Sequence, residues 1–179
     1  MDNENPSANA LSDNGDGRLG FISRGGITVI GVGNEFRSDD GVGIAEVRQL
    51  RTILPEDITL LEHSGEGASL IEAFGSADLV ILIDAVRSGA PPGTVHRVDL
   101  RKERVPACFL AGSSHAFGVI EAVGTAAVLR RMPRRALLFG IEGESFDAGT
   151  SLSDAVRATL PLLSDMILRE LNAPQPPPK

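Results

Sequence analysis

The sequence predicts an α/β sandwich built on a largely parallel sheet. Three observations carry this. Short apolar runs occupy 27–32, 79–84 and 136–141. Between and after them the apolar residues switch to helical spacing, at Ile44, Val47, Leu50 and Leu54 and again at Val156, Leu160, Leu163, Ile167 and Leu171. Glycine and proline mark the changeovers.

The first strand, 27–32, breaks at Gly31-Val32-Gly33-Asn34 and is followed by two adjacent carboxylates, Asp39 and Asp40, and a second glycine pair, Gly41 and Gly43. A helix over about 41–54 follows, closed by Pro55. A strand at 58–62 leads to a helix at about 68–74, with Leu70, Ile71 and Phe74 on one face. The strand at 79–84 ends in Asp84. After the turn at 88–93, the shorter and more polar segment 94–100 reads as an edge strand. A helix over about 115–131 carries Gly118 and Gly124, each costing about 1 kcal/mol relative to alanine, which points to close packing against a neighbour. A strand at 136–141 and a helix at 153–171, with a kink expected at Pro161, complete the order. No internal repeat is visible.

The chain of 179 residues fits one domain. Residues 1–25 are polar, rich in Asn, Asp and Gly, and unpatterned, so they are expected to be a disordered arm. The Pro-rich 173–179 is expected to be a tail, which leaves 26–172 as the folded domain. No apolar run approaches the ~20 residues that span a bilayer, and no signal-peptide pattern opens the chain. The single Cys108 excludes an internal disulfide framework. A soluble cytoplasmic protein is the simplest expectation. A net charge of −7, with no Trp and no Tyr, argues against nucleic-acid binding. The basic cluster 130–135 reads as a helix C-terminus with a proline stop, or else as a docking patch for an acidic partner.

Asp40, Asp84 and His115 are the candidate chemical groups. Two carboxylates and an imidazole suit a divalent transition metal with positions left open for solvent or substrate. Individually, Asp40 could cap the first helix, Asp84 end its strand and His115 cap the third helix. Jointly they fall at one edge, because the first and third strands should be neighbours. Gly31-Val32-Gly33 resembles a dinucleotide fingerprint, but Phe36 stands where the third glycine belongs and the two aspartates would repel a pyrophosphate. Gly33-Asn34 instead allows a sharp turn that exposes N–H groups beside the acids. No H-E-x-x-H occurs, since His63, His96 and His115 precede Ser, Arg and Ala, and no G-x-S-x-G occurs. Cys108 reads as packed, and His63 and His96 as surface or edge-strand residues.

Four segments together carry a resemblance: GVGNEFRSDDGVG (31–43), ILIDAV (81–86), PPGTVHRVDL (91–100) and SSHAFG (113–118). Over 27–171 the chain resembles the endopeptidases that mature nickel–iron hydrogenases. The resemblance implies a phosphorylase/hydrolase-like three-layer sandwich, with a five-stranded twisted sheet whose fourth strand is antiparallel. It implies metal ligands at Asp40, Asp84 and His115, catalytic roles for Asp40 and Asp84, and substrate binding by Gly33, Asn34, Asp39 and Gly41. The family's usual first ligand is glutamate. Asp40 is shorter by one methylene, about 1.5 Å of reach, so the backbone sits closer, the metal is held more loosely, or Asp39 contributes. The loop after the second strand departs as well, with Gly65-Glu66-Gly67 where the family has a glycine- and threonine-containing stretch. Arg37 and Ser38 are candidates for orienting a peptide.

The activity implied is removal of the C-terminal extension from a nickel–iron hydrogenase large-subunit precursor after nickel insertion, by a hydrolase often classed as aspartic-type. The nickel would be the substrate's own ion. A non-catalytic nickel-sensing, chaperone-like module that binds the same precursor is the alternative, and a small-molecule hydrolase is a remote third.

Overall fold

Strand β1 (Ile27–Val32) is buried along its whole length, so its apolar run belongs to the interior of a sheet rather than to one half-wet face. The computed structural model describes residues 26–106, 108–109 and 114–173, the side chains of 114–117 excepted. The expected arm at 1–25 and the tail beyond residue 173 lie outside the described residues. After β1 come a 3-10 turn (Ser38–Gly41), α1 (Val42–Leu50), β2 (Ile58–His63), α2 (Gly67–Ala73) and β3 (Leu79–Val86). Then follow β4 (Val95–Asp99), α3 (Ser114–Val128), β5 (Arg135–Glu142) and α4 (Asp154–Asn172).

The five strands form one sheet in the order β2-β1-β3-β5-β4. All pairings are parallel except β4 against β5, so the fourth strand is the antiparallel edge expected above. Strand alternation sends Val29, Ile81, Ile83, Phe139 and Ile141 to one face, where Val47 and Leu50 of α1 and Val156, Leu163 and Ile167 of α4 close over them. Ile30, Val80, Leu82, Val86 and Leu138 face the other way, against Leu70 of α2 and Val119, Ala122 and Ala126 of α3. The result is two helices on each face.

Glycine sets how closely α1 approaches the sheet. A Cβ on Gly31 would strike the carbonyl of Gly43, and one on Gly43 would strike the carbonyls of Ile83 and Val32. The start of α1 therefore rests directly on the backbone of β1 and β3 at their carboxyl ends. Gly118 meets the expectation of close packing, against the Gly65 carbonyl, whereas a Cβ on Gly124 would meet nothing within 4 Å among the described residues.

Several boundaries differ from the sequence reading. Helix α1 ends at Leu50 instead of 54; the next residues close tight turns, with the Ile53 N–H donating to the Leu50 carbonyl at 3.0 Å. Strands β3 and β5 run on to Val86 and Glu142 because their ladder continues through Ala85↔Ile141 and Val86↔Glu142. Asp84 therefore lies inside its strand and does not end it. Helix α3 stops at Val128, and Arg130 turns left-handed (φ 55°) while the Arg131 N–H donates back to the Ala126 carbonyl at 2.8 Å, a reverse-turn cap. Helix α4 continues unbroken through Pro161.

One buried acid sits between helices rather than at the sheet edge. Glu46 of α1 is fully buried and accepts a 2.7 Å hydrogen bond from the Ser164 hydroxyl of α4, which in turn accepts from the Gln49 amide at 3.0 Å. Burial is the main cause that pushes the Glu46 carboxyl up from 4.5 to about 7, with the Ser164 bond pulling the other way.

Candidate active site

The loop from β1 to α1 is held by its own backbone. Gly33 takes φ 141°, where a side chain would be strained and a Cβ would collide with the Asp40 carbonyl. Its N–H donates to the His63 carbonyl at 3.0 Å, tying the loop to the end of β2. Asn34 accepts the Phe36 N–H on its side-chain oxygen at 2.9 Å, and its own N–H donates to the Asp40 carbonyl at 3.3 Å. The Asp40 N–H donates to the Arg37 carbonyl at 3.1 Å, closing the turn that carries both aspartates inward. Gly33 and Asn34 thus fix the loop that presents the acids. Gly41 is the N-cap of α1 and offers no side chain, so Asp40 does not hold that capping position.

Asp39 and Asp40 are adjacent yet differently engaged. Asp39 is fully buried, and its carboxylate accepts backbone N–H groups of Glu144 at 2.8 Å, Ser145 at 3.0 Å and Ser153 at 2.7 Å. Ser153 is the N-cap of α4, so Asp39 organises the whole β5–α4 connection. Both oxygens of Asp39, for which the resemblance implies substrate binding, are engaged by backbone N–H groups that hold this connection in place.

Asp40 is 2% exposed, and so is Asp84. Asp84 shares strand parity with Leu82 and Val86, which puts it on the α2/α3 face of the sheet. There it lines a small cavity with Val86, Val105, Phe109, Val119, Ile120 and Leu138. The 3-10 turn that carries Asp40 touches β3, and the neighbouring Gly43 rests on Ile83. Both carboxylates are therefore gathered at the carboxyl edge of the sheet, where open α/β folds bind ligands. Two buried acids in a largely apolar setting need compensation by a proton, a cation or hydrogen-bond donors.

His115 lies in the first turn of α3, and its side chain is outside the described residues. The next turn of the same helix, at Val119 and Ile120, lines the cavity with Asp84, so α3 begins near the same edge. Among the described residues no group of three His, Cys, Asp or Glu side chains is clustered as a metal site. Cys108, expected to be packed, is exposed.

Sequence reasoning passed over Glu142 and read His63 and His96 only as surface or edge-strand residues. Glu142, 2% exposed at the end of β5, accepts the Ser88 N–H at 2.8 Å, the Ser88 hydroxyl at 2.7 Å and the Gly89 N–H at 2.8 Å. It clamps the turn that leaves β3 just beyond Asp84. An acid closing an apolar run was the available signal, as it was for Asp84. His96 stands 3.5 Å from Glu142 and packs against Phe109 in a tilted pair, with ring centroids 5.0 Å apart and planes at 59°. His63 accepts the Gly65 N–H on Nδ1 at 2.9 Å and lies 3.1 Å from the Ser69 hydroxyl through Nε2. Burial holds its pKa below the usual histidine value, so it stays neutral and shapes the β2–α2 loop.

Comparison with known proteins supplies the remaining context. A family model described as hydrogenase maturation protease matches residues 42–170. That span includes Asp84 and His115 and begins just after Asp40. The hydrogenase expression/formation protein HupD of Thiocapsa roseopersicina is 32% identical over 151 residues, covering 81% of this chain and 67% of that protein. This chain thus spans about two thirds of that relative. The hydrogenase 2 maturation protease of Escherichia coli is 30% identical over 149 residues, covering 81% of this chain and 90% of its own. Among solved structures, the hydrogenase maturating endopeptidase HybD from E. coli superposes with a TM-score of 0.70 at 27% identity, covering 82% of this chain and 91% of that one.

Proposed function

Since the chain belongs to the hydrogenase maturation protease family, we propose that it cuts the C-terminal extension from a nickel–iron hydrogenase large-subunit precursor once nickel is in place. The observation that carries the reading is the pair of 2%-exposed carboxylates, Asp40 and Asp84, at one edge of the sheet. Carboxylate oxygens with an imidazole nitrogen suit a first-row divalent ion. Asp40, Asp84 and His115 would hold the nickel that arrives with the precursor. That ion marks a loaded substrate and supplies Lewis acidity.

The protein's own task is proton transfer and positioning. A carboxylate, Asp40 in the first instance, accepts a proton from water as the water oxygen bonds to the scissile carbonyl carbon. The C–N bond then breaks as the proton passes to the departing amine. The extension leaves as a free peptide, and the large subunit gains a new C-terminal carboxylate. The Gly33-Asn34 turn and Gly41 hold this geometry from behind. No helix among the described residues is long and apolar enough to cross a membrane, and the reading puts the reaction in the cytoplasm.

Incubating the protein with nickel-loaded precursor and weighing the product tests the proposal. Loss of the mass of the extension is expected. A stable complex without any change of mass would instead make the protein a precursor-binding, chaperone-like module.

A further inference from the structure

We infer that Phe36, Arg37 and Arg87 form a docking rim for a carboxylate-bearing stretch of the substrate polypeptide, within the C-terminal extension that is cut away; this rests on the peptidase reading above. Phe36 lies four residues before Asp40 and is 66% exposed. Its loop is nevertheless fixed. The Phe36 N–H is bonded to Asn34, its carbonyl accepts the Gly149 N–H at 3.0 Å, and Arg37 forms a parallel bridge with Gly149. An aromatic ring held outward on an ordered loop offers contact area at little entropic cost.

The two arginines converge on one residue, Phe146. Arg37 donates through Nε and Nη2 to the Phe146 carbonyl at 3.3 and 3.2 Å. Arg87, three residues after Asp84, places its guanidinium carbon 4.7 Å above the centre of the Phe146 ring. A guanidinium has five N–H groups in its plane. Arg37 commits two of its nitrogens to one carbonyl, while the Arg87 guanidinium, seated over the Phe146 ring, makes no hydrogen bond to another described residue and keeps its donors for a carboxylate. Neither forms an ion pair among the described residues, whereas Arg48, Arg51, Arg97, Arg135 and Arg157 all do. Phe146 itself packs beside Gly143, which borders Asp39, so both cations stand next to the acidic turn. Glu144 and Asp147 are exposed on either side of Phe146, so the two guanidinium groups form a cationic pair set among carboxylates on a chain of net charge −7. One guanidinium with donors to spare, a second whose position is fixed beside it, and one exposed ring fit an acidic peptide with an apolar neighbour.

The test is steady-state processing of the nickel-loaded precursor by wild type, Phe36→Ser, Arg87→Glu and Arg169→Glu, at low and high salt. Arg87 contributes only its stacking contact, so its reversal spares the hydrogen bonds of the loop. Arg87→Glu should raise KM about tenfold, more than it lowers kcat, and weaken the salt dependence. Phe36→Ser should raise KM severalfold and leave the salt dependence intact. Arg169→Glu makes the same charge change in the last turn of α4 and should leave KM at the wild-type value. A precursor whose extension has its acidic side chains replaced by amides should bind wild type as weakly as the intact precursor binds Arg87→Glu. Wild-type KM in both Arg87→Glu and Phe36→Ser, with wild type still cutting, overturns the docking rim alone. An equal loss in Arg169→Glu also overturns it, by assigning the effect to overall charge. A wild type that never cuts overturns the peptidase reading, and this inference with it.

Discussion

Replacing Glu46 by glutamine should change stability in a pH-dependent way that the structure fixes in sign. The folded protein holds the Glu46 carboxyl at about 7 against an ordinary 4.5. The folded state therefore binds the proton more tightly than the unfolded chain does. Stability from this site is fully present below pH 4.5, falls as pH rises towards 7, and levels off above it. At about 1.4 kcal/mol per pH unit, the interval costs about 3 kcal/mol once the group is ionised. Glu46→Gln keeps the size and the acceptor for Ser164 while removing the charge. At pH 8 it should be the more stable protein by about 3 kcal/mol, or about 6–12 °C in melting temperature for a domain of this size. Near pH 4.5 the two should differ little. Urea unfolding of both proteins at several pH values reads the difference directly. A constant difference across the range, or a wild type that gains on the variant as pH rises, would refute the reasoning. Ser164→Ala offers a check, because it removes the bond that pulls the carboxyl down and should move the loss of stability to higher pH.

Asp39→Ala should destabilise the fold by about 2–4 kcal/mol in urea unfolding, since three backbone N–H groups at the start of the β5–α4 connection lose their acceptor together. Gly43→Ala should yield little folded protein by circular dichroism, because its methyl would meet the Ile83 and Val32 carbonyls. Asp40→Glu should keep or improve processing, measured as the rate of loss of the extension, if a longer carboxylate restores the usual reach.

Much of the fold was legible because the signals were local. The runs at 27–32, 79–84 and 136–141 are buried on both faces, as central strands covered by helices on each side ask for. Element ends were less so. Asp84 looked terminal because an acid follows an apolar run, but pairing with Gly140 and beyond carries β3 two residues further. The resemblance, not the periodicity, supplied the antiparallel edge. At the site, the motif singled out both aspartates but not their division of labour. That division depends on backbone N–H groups of Glu144, Ser145 and Ser153, more than a hundred residues away in sequence, and no spacing rule encodes that meeting. Glu142 carried the signal of an acid closing an apolar run, but its partners Ser88 and Gly89, from another strand's exit turn, were not legible in the spacing.

The central claim is that Asp40 accepts the proton in peptide cleavage. Single-turnover processing of nickel-loaded precursor, at saturating enzyme, compares wild type with Asp40→Asn and His115→Ala. Asparagine keeps the size and removes the proton acceptor, so Asp40→Asn should fall about 10²–10⁴-fold in rate. His115→Ala should recover in part as nickel loading is raised, because a weakened ligand set responds to metal and a missing base does not. An Asp40→Asn protein that cuts at the wild-type rate would contradict the account and pass the role to Asp84.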